Sequence, residues 1–183
     1  MSRLIASINV TIDGFCDHTA VIADDELHIN ANELLDSVST VLFGRVTYQL
    51  FEDFWPLIAK ENNYTAPVNE FAHKIDAIDK VVFSSTMEHT DWQHTRIIKE
   101  PMVATIKKMK QVYDKDLLLC GSPGLLNSMI EHKLVDEYQL WIQPVFLGNG
   151  RRLFNDIHEQ MNVRLLKTKT LKSGVVVLYY KPL

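Results

Sequence analysis

Three short stretches of the chain combine small residues, hydroxyls and main-chain N–H groups in the way that anion binding requires. They are Gly44-Arg45, Ser84-Ser85-Thr86 and Gly121-Ser122-Pro123-Gly124, and each follows an apolar run: VLF, KVVF or DLLLC. Glycine lets a pyrophosphate come close to the backbone, and the unsatisfied N–H groups and dipole at a helix N-terminus attract negative charge. Arg45 beside the two serine hydroxyls could grip a phosphate monoester such as the 2′-phosphate of NADPH. Each stretch also has a purely structural explanation. Glycine can relieve a tight turn, Ser122 can cap a helix, and Arg45 can make a surface ion pair. Their coincidence at three strand exits favours a nucleotide site.

Other residue types are less decisive. His28, in DDELHIN, could give a proton to a substrate because imidazole titrates near neutrality; the alternative is an exposed helix histidine. Asp13 either touches substrate or only forms the turn with Gly14. Trp55 either roofs a substrate pocket or packs in the core. His89 and His94 flank Asp91 in a polar loop, too few ligands for a metal site, and no metal is expected. The two cysteines, Cys16 and Cys120, stand far apart without CxxC or Cys/His spacing, which points to free thiols in a reducing cytoplasm.

The elements that must carry these residues follow from periodicity. RLIASINVTIDGF opens as a strand and breaks at Asp13-Gly14. Leu27, Leu34, Leu35 and Val38 recur at helical spacing behind Asp24 and Asp25, both N-cap candidates. Residues 40–43 read as a strand leading into a GRVTYQLF helix, residues 57–66 as a polar loop, and residues 67–78 as a helix started by Pro67. KVVFSST is a strand, 101–113 a helix with Pro101 at its first position, and DLLLC a strand running into a helix. LVDEYQLWIQPVFLG looks like one long strand, and the last twenty residues like two strands joined at Ser173-Gly174. Wholly apolar strands alternating with helices indicate an α/β domain with a mostly parallel sheet, whose ligands sit at the carboxyl ends of the strands.

A length of 183 residues predicts a single domain, 1–183, able to bury a core without staples. The net charge of −4 argues against nucleic acid or an anionic membrane as partner, and no uncharged apolar run is long enough to span a bilayer.

The segments IASINVTIDGF, VLFGRVTY, VVFSST, LLLCGSPGLLNSMIEHKLVDEYQLWIQPVFLGNGRRLF and SGVVVLYY together cover nearly the whole chain. In that order they resemble the dihydrofolate reductase-like family typified by the reductase domain of the riboflavin-biosynthesis deaminase-reductase, and most of all its stand-alone bacterial members. The resemblance implies a three-layer α/β/α fold, a mostly parallel central sheet with an antiparallel C-terminal hairpin, NADPH as cofactor and a homodimer. On matching positions it assigns Gly44, Arg45 and Thr47 to the cofactor's phosphates and ribose, and Ser84 and Ser85 to the 2′-phosphate. Gly121, Ser122, Gly124 and Leu125 fall to the pyrophosphate. Asp13 and Gly14 fall in the loop beside the nicotinamide; apart from the resemblance, Phe15 and Trp55 are candidates for the substrate side.

The departures narrow the substrate. His28 falls near the place where dihydrofolate reductases carry a carboxylic acid. Ile78, Asp79 and Lys80 stand where an arginine would grip folate, so folate is not expected. A ribosylamino-pyrimidine phosphate needs basic groups; Arg151 and Arg152 are candidates, with a surface or dimer contact as the alternative. The zinc pattern HxE…PCxxC is missing, which excludes deamination. The leading expectation is an NADPH-dependent reductase that delivers hydride to a small heterocycle, carbonyl or imine, with a pyrimidine like that of the riboflavin pathway among the candidates. The alternative is a dinucleotide- or flavin-binding sensor without turnover.

Overall fold

Alternation within the strands decides which helices cover which side of the sheet. In the computed structural model, which describes every residue except 156, eight strands form one sheet. They are β1 (Leu4–Thr11), β2 (Val38–Gly44), β3 (Asp79–Phe83), β4 (Thr95–Ile98), β5 (Asp116–Cys120), β6 (Glu137–Gln143), β7 (Val163–Thr170) and β8 (Val176–Pro182). The helices are α1 (Asp25–Ser37), α2 (Arg45–Glu52), α3 (Trp55–Glu61), α4 (Ala66–Ala77), α5 (Met102–Val112) and α6 (Pro123–Glu131). The strand order is β4-β3-β2-β5-β1-β6-β8-β7. From β4 to β6 every pairing is parallel; β8 runs antiparallel to β6, and β7 antiparallel to β8.

Leu4, Ala6, Ile8 and Val10 of β1, with Leu42, Val81, Leu117 and Leu119, pack against Ile106 and Met109 of α5 and Leu126, Met129 and Ile130 of α6. The intervening positions Ile5, Val41, Phe43, Val82 and Leu118 face Leu35 of α1, Tyr48 of α2, and Phe71 and Ile75 of α4. The three-layer α/β/α arrangement follows from this period of two: both faces of the parallel strands are apolar and each needs a cover. Fully burying one such leucine contributes about 1.5–3 kcal/mol.

Two polar devices fix the helices that matter for the site. Asp24 caps α1 by accepting from the Leu27 N–H at 2.8 Å. Lys80, fully buried, donates to the carbonyls of Ile75, Asp76 and Ile78 at 2.8–3.0 Å. Its ammonium also lies 4.4 Å from the Trp92 ring centroid. It thereby satisfies the C-terminal carbonyls of α4, which the apolar surroundings would otherwise leave unpaired.

The structure corrects four expectations. Residues 55–61 are helical, because Pro56 suits a first turn and Ile58 buries inward; only 62–65 of the expected loop is irregular. The long strand stops at Gln143, since Pro144 has no N–H for the ladder. The helix expected from 101 begins at Met102, with Pro101 as its N-cap. An unexpected strand, β4, edges the sheet; its four residues, TRII, are too few to show alternation. At the other end the apolar groups of β6 and β8 are covered by the chain itself: Trp141, Leu171, Val175, Val177 and Tyr179 form a third cluster with Leu27 of α1. No described helix is long and apolar enough to cross a membrane.

Candidate functional site

The exits of β2 and β5 lie side by side. Gly121 and Ser122 both adopt left-handed conformations, φ +57° and +57°. For a serine this is strained backbone that the surroundings must hold in place. The holding bonds are visible: the Ser122 N–H donates to Thr47 Oγ1 at 3.1 Å, and Ser122 Oγ accepts from the Gly44 N–H at 2.8 Å. A Cβ on Gly121 would sit 3.1 Å from Thr47 Cγ2. Thr47 and Ser122 therefore stitch the two exits together. Neither α2 nor α6 has a side-chain cap, so their first-turn N–H groups are left to solvent or ligand.

Two cations stand at this end. Arg45 is exposed and its Nη1 reaches Gln49 Oε1 at 3.3 Å. Arg151 lies across the start of α6, where its Nη2 would be only 2.5 Å from a Cβ on Gly124. The absence of a side chain at Gly124 makes room for that guanidinium. Arg151 is placed by the turn after β1: its carbonyl accepts from the Cys16 N–H at 2.7 Å, and Leu153 N–H donates to the Gly14 carbonyl at 2.9 Å.

That same turn occupies Asp13. Its carboxylate accepts from Thr11 Oγ1 at 2.5 Å and from the N–H groups of Leu147 and Gly148 at 3.2 and 2.7 Å. The Thr11 bond, followed by the Gly148 bond, holds its pKa down at about 2. Phe15 is buried beneath Arg152, whose guanidinium lies 5.1 Å from the ring centroid. Burial pushes the neighbouring Cys16 thiol up to about 12, against the opposing charge of Arg151, so it is no nucleophile.

The other end of the same cleft is aromatic. His28 is 5% exposed and meets Trp55 and Phe71 edge-on, with centroid distances of 5.9 and 5.7 Å. Trp55 and Phe71 are 4.6 Å apart, and Phe51 and Phe54 join through Trp55 at 6.2 and 5.1 Å. His28 Nδ1 is 2.8 Å from the Asp24 carbonyl oxygen. A carbonyl only accepts, so Nδ1 carries the proton and the neutral ring presents a lone pair at Nε2. His28 can donate from Nε2 only as the imidazolium. The alternative of an exposed histidine is overturned by its burial.

The two strand exits, Arg45, Arg151 and the aromatic groups line a cleft of about 910 Å³ at the carboxyl ends of β1, β2 and β5. Of the residues singled out in the sequence, Cys16, His28, Gly44, Arg45, Thr47, Trp55, Cys120, Gly121, Ser122, Gly124, Leu125 and Arg151 line it. Asp13, Gly14, Phe15, Ser84 and Ser85 are not among its lining residues. Asp13 and Phe15 serve the turn, and Ser84 Oγ accepts from the Thr86 and Met87 N–H groups at 3.3 and 3.0 Å, closing a turn of its own. The sequence reasoning missed the floor: Ser7 and Asn9 of β1 line the cleft, held by Trp141 Nε1 at 3.0 Å and Gln143 Nε2 at 2.8 Å. Two polar side chains alternating within an apolar strand, SIN, were the available signal. Phe51 and Phe71 carried none. Among the described residues, no group of three or more His, Cys, Asp or Glu is placed to hold a metal ion.

Comparison with known proteins agrees with this architecture. The chain is 31% identical over 183 residues to the uncharacterized protein YyaP of Bacillus subtilis (strain 168), covering 97% of this chain and 94% of that protein. It superposes on a putative riboflavin biosynthesis protein from Shewanella sp. PV-4 with a TM-score of 0.73 at 15% identity, over 99% of both chains. The Thermotoga maritima diaminohydroxyphosphoribosylaminopyrimidine deaminase/5-amino-6-(5-phosphoribosylamino)uracil reductase matches with a TM-score of 0.68 at 13% identity. That match takes in 100% of this chain and 57% of the Thermotoga one. The RibD C-terminal domain model matches residues 2–177. With the family model matching nearly its whole length and the fold agreeing, the chain belongs to the RibD C-terminal domain family, a reductase-like family with a dihydrofolate reductase-like fold.

Proposed function

We propose that the protein is an NADPH-dependent reductase. One observation carries the proposal: two uncapped helix starts and two arginines converge where Gly44, Gly121 and Gly124 keep side chains out of the way. The donor set fits a dinucleotide. First-turn N–H groups of α2 and α6 would receive the pyrophosphate, and Arg45 or Arg151 the 2′-phosphate. When bound, the cofactor supplies the hydride. The chain's own part is to bind and orient it, to exclude water with the aromatic end, and to present His28 Nε2 to the substrate. Free thiols suit a reducing cytoplasm.

The test is binding of NADPH, NADH and FMN, followed by a screen for substrate-dependent loss of nicotinamide absorbance. NADPH binding at least about 10-fold tighter than NADH is expected. FMN binding without NADPH binding would replace the reductase by a flavin-binding sensor.

A homodimer is part of the proposal. Edge strand β7 is exposed along its whole length, and Leu165 and Leu166, at a bulge, are 48% and 46% exposed. An open edge bearing consecutive leucines invites a partner strand. Light scattering should give twice the chain mass, and Leu165→Glu with Leu166→Glu should give the monomer. Tyr179, only 8% exposed, belongs to the third core cluster, so a charge there tests folding rather than assembly.

A further inference from the structure

We infer that the aromatic end of the cleft takes a flat, uncharged heteroaromatic ligand that donates one N–H or O–H to His28 Nε2, and not a phosphorylated sugar derivative. The inference rests on the proposal that the glycine-rich end holds the cofactor, and names the substrate class for the remaining space.

Charge bookkeeping within the cleft is the first argument. Its ionisable lining groups are Asp17, His18, His28, Arg45, Arg151 and the two thiols. Arg151 crosses the start of α6 and Arg45 opens α2, so both cations belong to the glycine-rich end. Asp17 is committed to Thr19, whose N–H and hydroxyl reach its carboxylate at 2.8 and 2.6 Å. Around Trp55 and Phe71 no arginine or lysine lines the cleft. A phosphate or carboxylate placed there would be desolvated without a partner, which costs several kcal/mol.

Shape and polarity are the second argument. Phe51, Trp55, Phe71 and the His28 ring present edges and faces around one space, with Leu27 and Ala31 of α1 beside them. Such walls favour a planar ring system, which gains edge-to-face contacts beyond its buried area. A single polar atom interrupts them. With Nδ1 held by the Asp24 carbonyl, the Nε2 lone pair of a 95%-buried histidine has no protein donor among the described residues. That nitrogen opens to the cleft, so a ligand that covers it without supplying a donor strips it of water and leaves it unpaired, and a ligand that supplies the donor is selected over one that does not.

Tryptophan fluorescence of the full-length protein, with and without NADPH, can be titrated with three probes: quinoxalinone, its N-methyl derivative and quinoxaline carboxylate. Quinoxalinone, neutral with a ring N–H, should bind about 10-fold or more tighter than either of the others. His28→Phe keeps the ring packing and should erase the difference between quinoxalinone and its N-methyl derivative, leaving affinity for the latter in place. Equal binding of those two probes by the parent protein would overturn the role of His28. Tightest binding of the carboxylate, or of uridine monophosphate added as a phosphorylated comparator, would overturn the uncharged class. If the probe order holds but NADPH does not bind, the reductase proposal fails and this inference stands. If NADPH binds and none of the heterocycles does, the inference fails and the reductase proposal stands.

Discussion

The two ends of the cleft are built by opposite means. The glycine-rich end is made of main chain: two strand exits, two helix starts, and the left-handed pair Gly121-Ser122 tied by bonds from Gly44 and to Thr47. Its side chains mostly hold the backbone in position. The aromatic end is made of side chains from four separate helices: His28 on α1, Phe51 and Trp55 on either side of the α2–α3 junction, and Phe71 on α4. Such a division suits a site whose one ligand is a fixed, anionic cofactor and whose other ligand varies. Backbone geometry tolerates little substitution, whereas a side-chain wall can be rebuilt one residue at a time without moving the sheet.

The contrast can be broken at either end. The largest effect is expected at Gly121. Gly121→Val forces a branched residue into φ +57° and brings its Cβ within 3.1 Å of Thr47. It should lower stability by about 1–3 kcal/mol and abolish NADPH binding. Thermal melting and titration with NADPH check both, and normal NADPH binding would mean that the cofactor lies elsewhere. Next comes Trp55→Ala, which opens the aromatic wall. Because Trp55 is only partly buried, a loss of about 2 kcal/mol is expected rather than the larger cost of a buried tryptophan. Quinoxalinone affinity should fall about 10-fold while the Kd for NADPH stays within about 2-fold. Parallel losses of both ligands would show that the two ends are one coupled site.

Arg45→Ala should act on selectivity alone. A preference for NADPH over NADH of about 10-fold, ~1.4 kcal/mol, should largely vanish while the melting temperature is unchanged. If the preference survives, Arg151 carries it, and Arg151→Ala is the variant that removes it. Ser84→Ala should change NADPH affinity less than about 2-fold, since Ser84 Oγ is engaged by Thr86 and Met87 in a turn outside the cleft. A large loss there would restore the serines to the phosphate site.

The smallest effect concerns Asp13. Its pKa is held at about 2, below the ordinary 3.8, so the bonds of its carboxylate stabilise the fold above about pH 4. That contribution is lost as pH falls through about 2. Between those values the parent should lose stability more steeply than Asp13→Asn, and identical acid profiles would remove the carboxylate from any role in the turn.

How much was legible depended on whether the signal was local. Gly44, Arg45, Gly121 and Gly124 could be named because a glycine or cation immediately after an apolar run is a contiguous pattern, and each of them lines the cleft. Ser84 and Ser85 match the same pattern at the exit of β3, yet lie outside it. The sheet order explains the difference: β2 and β5 are neighbours and β5 borders β1, whereas β3 is separated from β5 by β2. Arg151 could be named but not placed, because its position comes from pairing with the turn at Cys16, 135 residues earlier.

By itself the sequence determined the alternation of strands and helices, the parallel character of the sheet and the small-residue strand exits, because each is written in period, propensity and turn chemistry within a few residues. It also narrowed the cap of α1 to Asp24 or Asp25, of which Asp24 is the one, and put Gly174 in a turn. Only the tertiary structure decided that Phe51, Trp55, Phe71 and His28 share one space, that Asp13 and Phe15 serve a turn, and which nitrogen of His28 is free. Those outcomes depend on residues brought together from distant segments, and on hydrogen-bond partners chosen by packing, so no local pattern could carry them.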